Sequence, residues 1–132
     1  MTIEEKQKEI IDNLNLLEEW EDKYQYLIDI SESVEPMPEE LKTDDNLVKE
    51  CQSRVWLSKY EKDGMIYFFT DCDAPIPKGL AATIAKILNG HSANEISKAI
   101  INFHIKTDLN LYLSPSRKVG LEGMIRRFLE IL

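Results

Sequence analysis

The sequence predicts an α+β fold of two N-terminal helices, a small antiparallel sheet of about three strands, and C-terminal helices. Three observations predict it. Apolar residues recur at steps of three and four near both ends of the chain, as amphipathic helices require. Between residues 54 and 71 the period changes: Val55-Trp56-Leu57 and Met65-Ile66-Tyr67-Phe68-Phe69 flank Lys62-Asp63-Gly64, and an Asp-Gly step between such runs is a strong hairpin signal. The 132 residues, 43% of them hydrophobic, suit a single domain over residues 1–132 with a core of its own.

The elements follow in order. Thr2 and Glu5 form a capping box that opens a helix carrying Ile3, Ile10, Ile11, Leu14 and Leu17, and Asn13 and Asn15 predict its break near residue 15. A second helix is expected over residues 18–33, with Trp20, Tyr24, Leu27, Ile28 and Ser31 on its inner face and Glu18, Glu19, Glu21 and Asp22 at its dipole-positive start. Glu35-Pro36-Met37-Pro38 stops it and makes a linker. Residues 41–50 are polar and irregular, with a short extended piece expected at Leu47-Val48, and the hairpin follows. Pro75 and Pro77 end the sheet, and a helix is expected over residues 77–89, closed by Asn89-Gly90. Ser92 and Glu95 form a second capping box, opening one helix or a pair of short ones that ends near residue 109. After the break at Leu113-Ser114-Pro115-Ser116, a last helix over residues 116–132 is expected to bury Leu121, Met124, Ile125, Phe128 and Leu129, with Arg126 and Arg127 in water.

Net charge is −8, unevenly spread: residues 1–50 hold 16 acidic and 5 basic side chains, residues 51–132 hold 8 and 11. The acidic half argues against nucleic acid as a partner, because neutralising phosphates needs clustered cations. No stretch approaches the roughly 20 apolar residues of a membrane span, and the charged start MTIEEKQKEI does not read as a secretory signal. Two cysteines without a CxxC are neither a disulfide framework nor a zinc site, so a reducing cytoplasm is the expected location.

No phosphate-binding loop, dinucleotide fingerprint or serine-nucleophile elbow is present. His91 and His104 have no ligand spacing around them, and His91, just after a helix end, is expected at the surface. Cys72 lies between Asp71 and Asp73, whose charges should raise its pKa and blunt it. Cys51 lies between Glu50 and Gln52 in a polar loop that feeds the first strand. By position alone it reads equally as a reactive thiol or a spare loop cysteine.

Four strings bear on that choice. CQSRVW from Cys51 resembles the active loop of the SufE family of sulfur-acceptor proteins. WEDKYQYLIDI from Trp20 resembles the family's second-helix signature, DCDAPIPKGL from Asp71 its sheet-to-helix junction, and LSPSRKVGLEGMIRRF from Leu113 its C-terminal signature. The four fall in the family's order and span nearly the whole chain. The resemblance implies a fold shared with U-type (IscU-like) iron–sulfur scaffold proteins. It also implies a function: Cys51 takes persulfide sulfur from a SufS-type cysteine desulfurase, stimulates that enzyme, and passes the sulfur to a SufBCD-type scaffold for iron–sulfur cluster assembly. By this resemblance the chain is not itself an enzyme, binds no cofactor or metal, and meets a partner that uses pyridoxal phosphate. It is expected as a monomer or homodimer.

Supporting roles are expected for Gln52 and Ser53, as hydrogen-bonding residues of the loop, for Asp73 at the junction, and for Arg117 as a cation near the site or partner interface. A cation at a helix start opposes the dipole, so Arg117 asks for another reason to be there. Trp20, Trp56 and Tyr24 read as core. Two residues depart from the family's pattern: Glu50 stands where Gly is usual, adding negative charge beside the thiol, and Cys72 stands where Ser is usual. Cys72 raises the alternative of an iron–sulfur or zinc scaffold using Cys51 and Cys72, or of two thiols close enough to form a disulfide or share sulfur. A freestanding thiol enzyme would need a base beside Cys51, and no histidine motif supplies one. The charge split falls at residue 50/51, which predicts Arg54 and Arg117 near the thiol and the acidic surface in solvent.

Overall fold

A computed structural model describes residues 1–132. Helix α1, Ile3–Leu16, starts at the capping box: Thr2 Oγ1 accepts from the Glu5 N–H, and Glu5 Oε1 from the Thr2 N–H, both at 3.0 Å. Helix α2, Trp20–Ser33, follows at once. The turn between them is held by a buried lysine, Lys23, whose ammonium donates to Leu14 O at 2.7 Å and to Leu17 O. Both carbonyls lie where α1 runs out of helical donors, and Leu14 O also accepts from the Leu17 N–H at 3.2 Å. Two single 3₁₀ turns, Glu39–Leu41 and Asp44–Asn46, occupy the segment after the prolines. Lys42 ties that segment to the sheet through Asp71 at 2.6 Å.

Strands β1, Val55–Lys62, and β2, Met65–Cys72, pair antiparallel from Val55↔Cys72 to Lys62↔Met65. Asp63 (φ 54°) and Gly64 (φ 78°) both take the left-handed backbone that a two-residue hairpin turn demands. The sheet has two strands rather than about three. The expected extended piece at Leu47-Val48 is reduced to one bridge, Leu47↔Trp56, because Asp44-Asp45-Asn46 spends the preceding residues on a turn. On the other edge a single bridge joins Ile66 to His91.

Helix α3, Pro75–Leu88, begins two residues earlier than expected, since Pro75 suits a first helical turn. It is apolar nearly all round and lies at the centre, against α2, the sheet and α6. The expected helix after Ser92 resolves into two short ones, α4, Ala93–Ser97, and α5, Leu109–Tyr112. Residues 98–108 between them are irregular and are held by Gln7 of α1. Its amide donates to Ile100 O at 2.8 Å and accepts from the Asn102 and Phe103 N–H groups at 2.8 and 3.0 Å. Helix α6, Pro115–Glu130, closes the fold, with Ser114 Oγ accepting from the Arg117 N–H at 3.3 Å.

Several burial expectations are corrected. Trp20 is exposed, because it sits in the first turn of α2 beyond the edge of the core, and Trp56 is only half-buried; Tyr24 is buried as expected. His91 is buried, because its backbone pairs with Ile66. Arg127 is half-buried, donating to Asp45 O at 3.3 Å, while Arg126 is exposed. Ile28 is only partly buried, and Ile30 takes its place on the inner face of α2.

The α2–α3 crossing depends on Gly79. A Cβ there would lie 2.9 Å from the backbone carbonyl carbon and oxygen of Leu27. Alanine normally favours a helix interior by about 1 kcal/mol over glycine, yet the clash reverses the sign. Gly79→Ala should lower stability by about 1–3 kcal/mol in urea unfolding, whereas Lys86→Ala on the exposed side of α3 should leave it nearly unchanged.

Candidate functional site

The Cys51 loop is shaped by its backbone. The Val48 N–H donates to Val55 O at 2.8 Å and the Cys51 N–H to Val48 O at 3.3 Å, so the chain doubles back just before β1. The turn lays Glu50 and Cys51 on helix α6, where two glycines make room. A Cβ at Gly123 would stand 2.6 Å from Glu50 Cβ, and one at Gly120 would stand 3.2 Å from Cys51 Sγ. The Cys51 thiol is half-buried and donates to Gly120 O at 3.4 Å. Glycine inside a helix weakens it, so two within a single turn of α6 signal a close approach. That signal stands in LSPSRKVGLEGMIRRF as Gly120 and Gly123.

A cavity of about 90 Å³ opens beside the thiol. Cys51, Gln52 and Ser53 line it from the loop, Pro77 and Leu80 from α3, and Arg117, Gly120 and Met124 from α6. It exceeds the ~30 Å³ share of one liquid water and falls well short of the ~300 Å³ at which small-molecule pockets begin. It therefore has room for an added atom or two on the sulfur. Gln52 and Ser53 face this space without a side-chain partner inside the protein; backbone bonds and the α6 contact position the loop.

The expected cations separate. Arg117 lines the cavity, is exposed, and has no carboxylate within ion-pair distance. Arg54 is held by Asp73 instead: Asp73 Oδ1 accepts from the Arg54 backbone N–H at 3.1 Å and Oδ2 from Nε at 3.3 Å, and the guanidinium lies 5.4 Å from the Trp56 ring centroid. Asp73 thus clamps the start of β1 to the end of β2 and does not line the cavity. Glu50 approaches Arg126 at 3.9 Å in an exposed, weak pair.

Burial pushes the Cys51 thiol up to about 11, with nearby Cys72 and then Glu50 adding to the shift. Cys72 is buried at the end of β2, where its Sγ accepts from the Ala74 N–H at 3.4 Å. Its pKa is also raised, first by burial and only then by Asp73 and Asp71, so the flanking carboxylates are the lesser cause. Both cysteines are free thiols. No group of three or more His, Cys, Asp or Glu side chains is arranged to hold a metal ion. Elsewhere, buried His104 meets Glu122 at 3.0 Å, and no helix is long and apolar enough to cross a membrane.

Residues 8–131 match the SufE family, described as an Fe-S metabolism associated domain. An uncharacterised SufE-like protein of Rhizobium meliloti (strain 1021) is 37% identical over 124 residues, covering 90% of this chain and 89% of that protein. A protein of Thermus thermophilus described as hypothetical, its structure solved in solution, has a similar fold. Its TM-score is 0.79 at 23% identity, over 96% of this chain and 92% of that one.

The shielded thiol has a measurable signature. The neutral form is favoured in the folded chain, so that stabilising contribution is complete below the unfolded-state pKa near 9 and is lost as pH rises through about 11. Alkylation of Cys51 by iodoacetamide should climb about tenfold per pH unit from 7 to 10 with no plateau. Glu50→Gln and Cys72→Ser should each move that profile to lower pH without bringing it to an ordinary thiol's, because burial is the largest cause. A plateau near pH 9 in the unmodified protein would contradict the shielding.

Proposed function

The chain belongs to the SufE family, which is associated with iron–sulfur metabolism, and from that premise we propose that Cys51 accepts sulfur from the persulfide of a SufS-type cysteine desulfurase. The observation that carries this reading is the placement of Cys51. A lone thiol at the turn of a loop borders a cavity with room for one more sulfur, beside an unpaired arginine.

The chemistry follows from those parts. The Cys51 thiolate attacks the outer sulfur of the donor's persulfide. A new S–S bond forms on Cys51, the donor's own S–S bond breaks, and the donor cysteine leaves as a thiolate. No oxidant or reductant is consumed. With its thiol raised to about 11, the resting protein holds only about one part in 10⁴ as thiolate at pH 7. Ionisation is therefore coupled to docking, where Arg117 and cations of the donor offset the burial. Emptying the donor cysteine readies it for another turnover, which is how the chain stimulates the desulfurase without being an enzyme. The cavity then shelters the terminal sulfur until a SufBCD-type scaffold takes it for cluster assembly in the cytoplasm. The pyridoxal phosphate of the reaction belongs to the donor, and this chain holds no cofactor of its own. The scaffold alternative needs three or four ligands, and Cys51 and Cys72 have no third grouped with them.

With a cognate desulfurase and free cysteine, mass spectrometry should find one added sulfur on Cys51 within a turnover. Cys51→Ser should take up none and should lose all stimulation of sulfide release, while Cys72→Ser should keep most of both. Stimulation by Cys51→Ser equal to that of the wild type would refute the transfer step.

A further inference from the structure

We propose that the groove beside Arg117, walled by Trp20, Tyr24 and Tyr112, seats a segment of the sulfur donor that carries an apolar side chain followed by a carboxylate. The proposal rests on reading Cys51 as a sulfur acceptor and names the surface that aligns the donor with it.

The groove is built from aromatic rings in mutual contact. Trp20 meets the edge of Tyr24 at 5.1 Å between ring centroids and stacks on Tyr112 at 6.4 Å. The Tyr24 hydroxyl donates to Tyr112 O at 2.9 Å, which pins the short helix α5 to α2. The surface depression that these rings share with Ser114 and Arg117 has a volume of about 400 Å³, enough for a large side chain. Trp20 and Tyr112 are nonetheless 41% and 45% exposed. Aromatic rings held in place and left half in water lose little entropy on binding, and Trp, Tyr and Arg are the side chains that dominate protein–protein affinity.

The charges select the occupant. Arg117 lines both this groove and the Cys51 cavity, so whatever fills one lies beside the other. It is a cation without a carboxylate partner on a chain of net charge −8. Next to Trp20 in the chain, Glu19, Glu21 and Asp22 are exposed. A carboxylate is thus welcome at Arg117 and not beside Trp20, which orders the segment: apolar anchor against the exposed faces of Trp20 and Tyr112, acid on Arg117. This assigns the exposed Trp20 and the unfavourable cation at the start of α6 one shared role.

The test measures the Kd of the full chain for a cognate cysteine desulfurase by calorimetry, beside the alkylation rate of Cys51. Trp20→Ser and Tyr112→Ser should each raise Kd about tenfold or more, as truncated anchors do, with alkylation unchanged. Trp20→Phe should bind nearly as the wild type does. Arg117→Glu should weaken binding further and abolish its salt dependence. If the serine variants bind as well as the wild type while Cys51 still gains sulfur, the groove is wrong and the acceptor reading stands. If the wild type binds but Cys51 never gains sulfur, the acceptor reading fails, and the Kd values alone decide the groove. No binding by the wild type overturns both.

Discussion

Cys51 sits where it does because helix α6 presents bare backbone to it. A methyl group at Gly123 would overlap Glu50, and one at Gly120 would press on the sulfur itself. The helix gives up some intrinsic stability at both positions and gains a flat strip on which the loop lies. The thiol's burial, its bond to Gly120 O and the cavity between α3 and α6 all follow from that contact. So does the raised pKa, since burial is its first cause. A loop standing away from α6 would carry an ordinary, readily oxidised cysteine.

The rest of the fold brings the strip and the loop together. Helix α3 is buried on nearly every side and acts as the common wall between sheet, α2 and α6. The hairpin register then fixes the loop's exit: Val55 opposite Cys72 places Arg54 opposite Asp73, and their paired hydrogen bonds hold the point where the loop becomes strand. Cys72 reaches the core at the same point, close enough for its charge to be felt at Cys51. Its neighbours Asp71 and Asp73 turn to Lys42, Lys78 and Arg54.

That arrangement recasts the acidic character of the chain. The carboxylates at the end of the sheet are matched by cations, and those of α1 and α2 mostly face solvent, where they interact weakly through water and salt. Arg117 is left over. Its guanidinium has no carboxylate partner and lines both a small cavity with a thiol and an open groove with exposed aromatic rings.

Local chemistry was legible in the sequence. Both capping boxes, the Asp-Gly hairpin and the helical character of α1, α2, α3 and α6 follow from local spacing, because each depends on residues within a turn or two of one another. Cys51 was legible as a candidate by its polar loop and its family-like string. Tertiary structure alone decided what depends on distant partners. Ile66 draws His91 inward, Gln7 holds residues 98–108 out of a helix, and turns replace the expected third strand. Arg54 went to Asp73 while Arg117 went to the cavity, though the charge split had placed both near the thiol. Spacing along a chain tells which side chains share a face. Which backbone can approach that face is decided by absent atoms, here those of Gly79, Gly120 and Gly123, and the effect of an absent atom is felt only once its neighbour across the fold is in place.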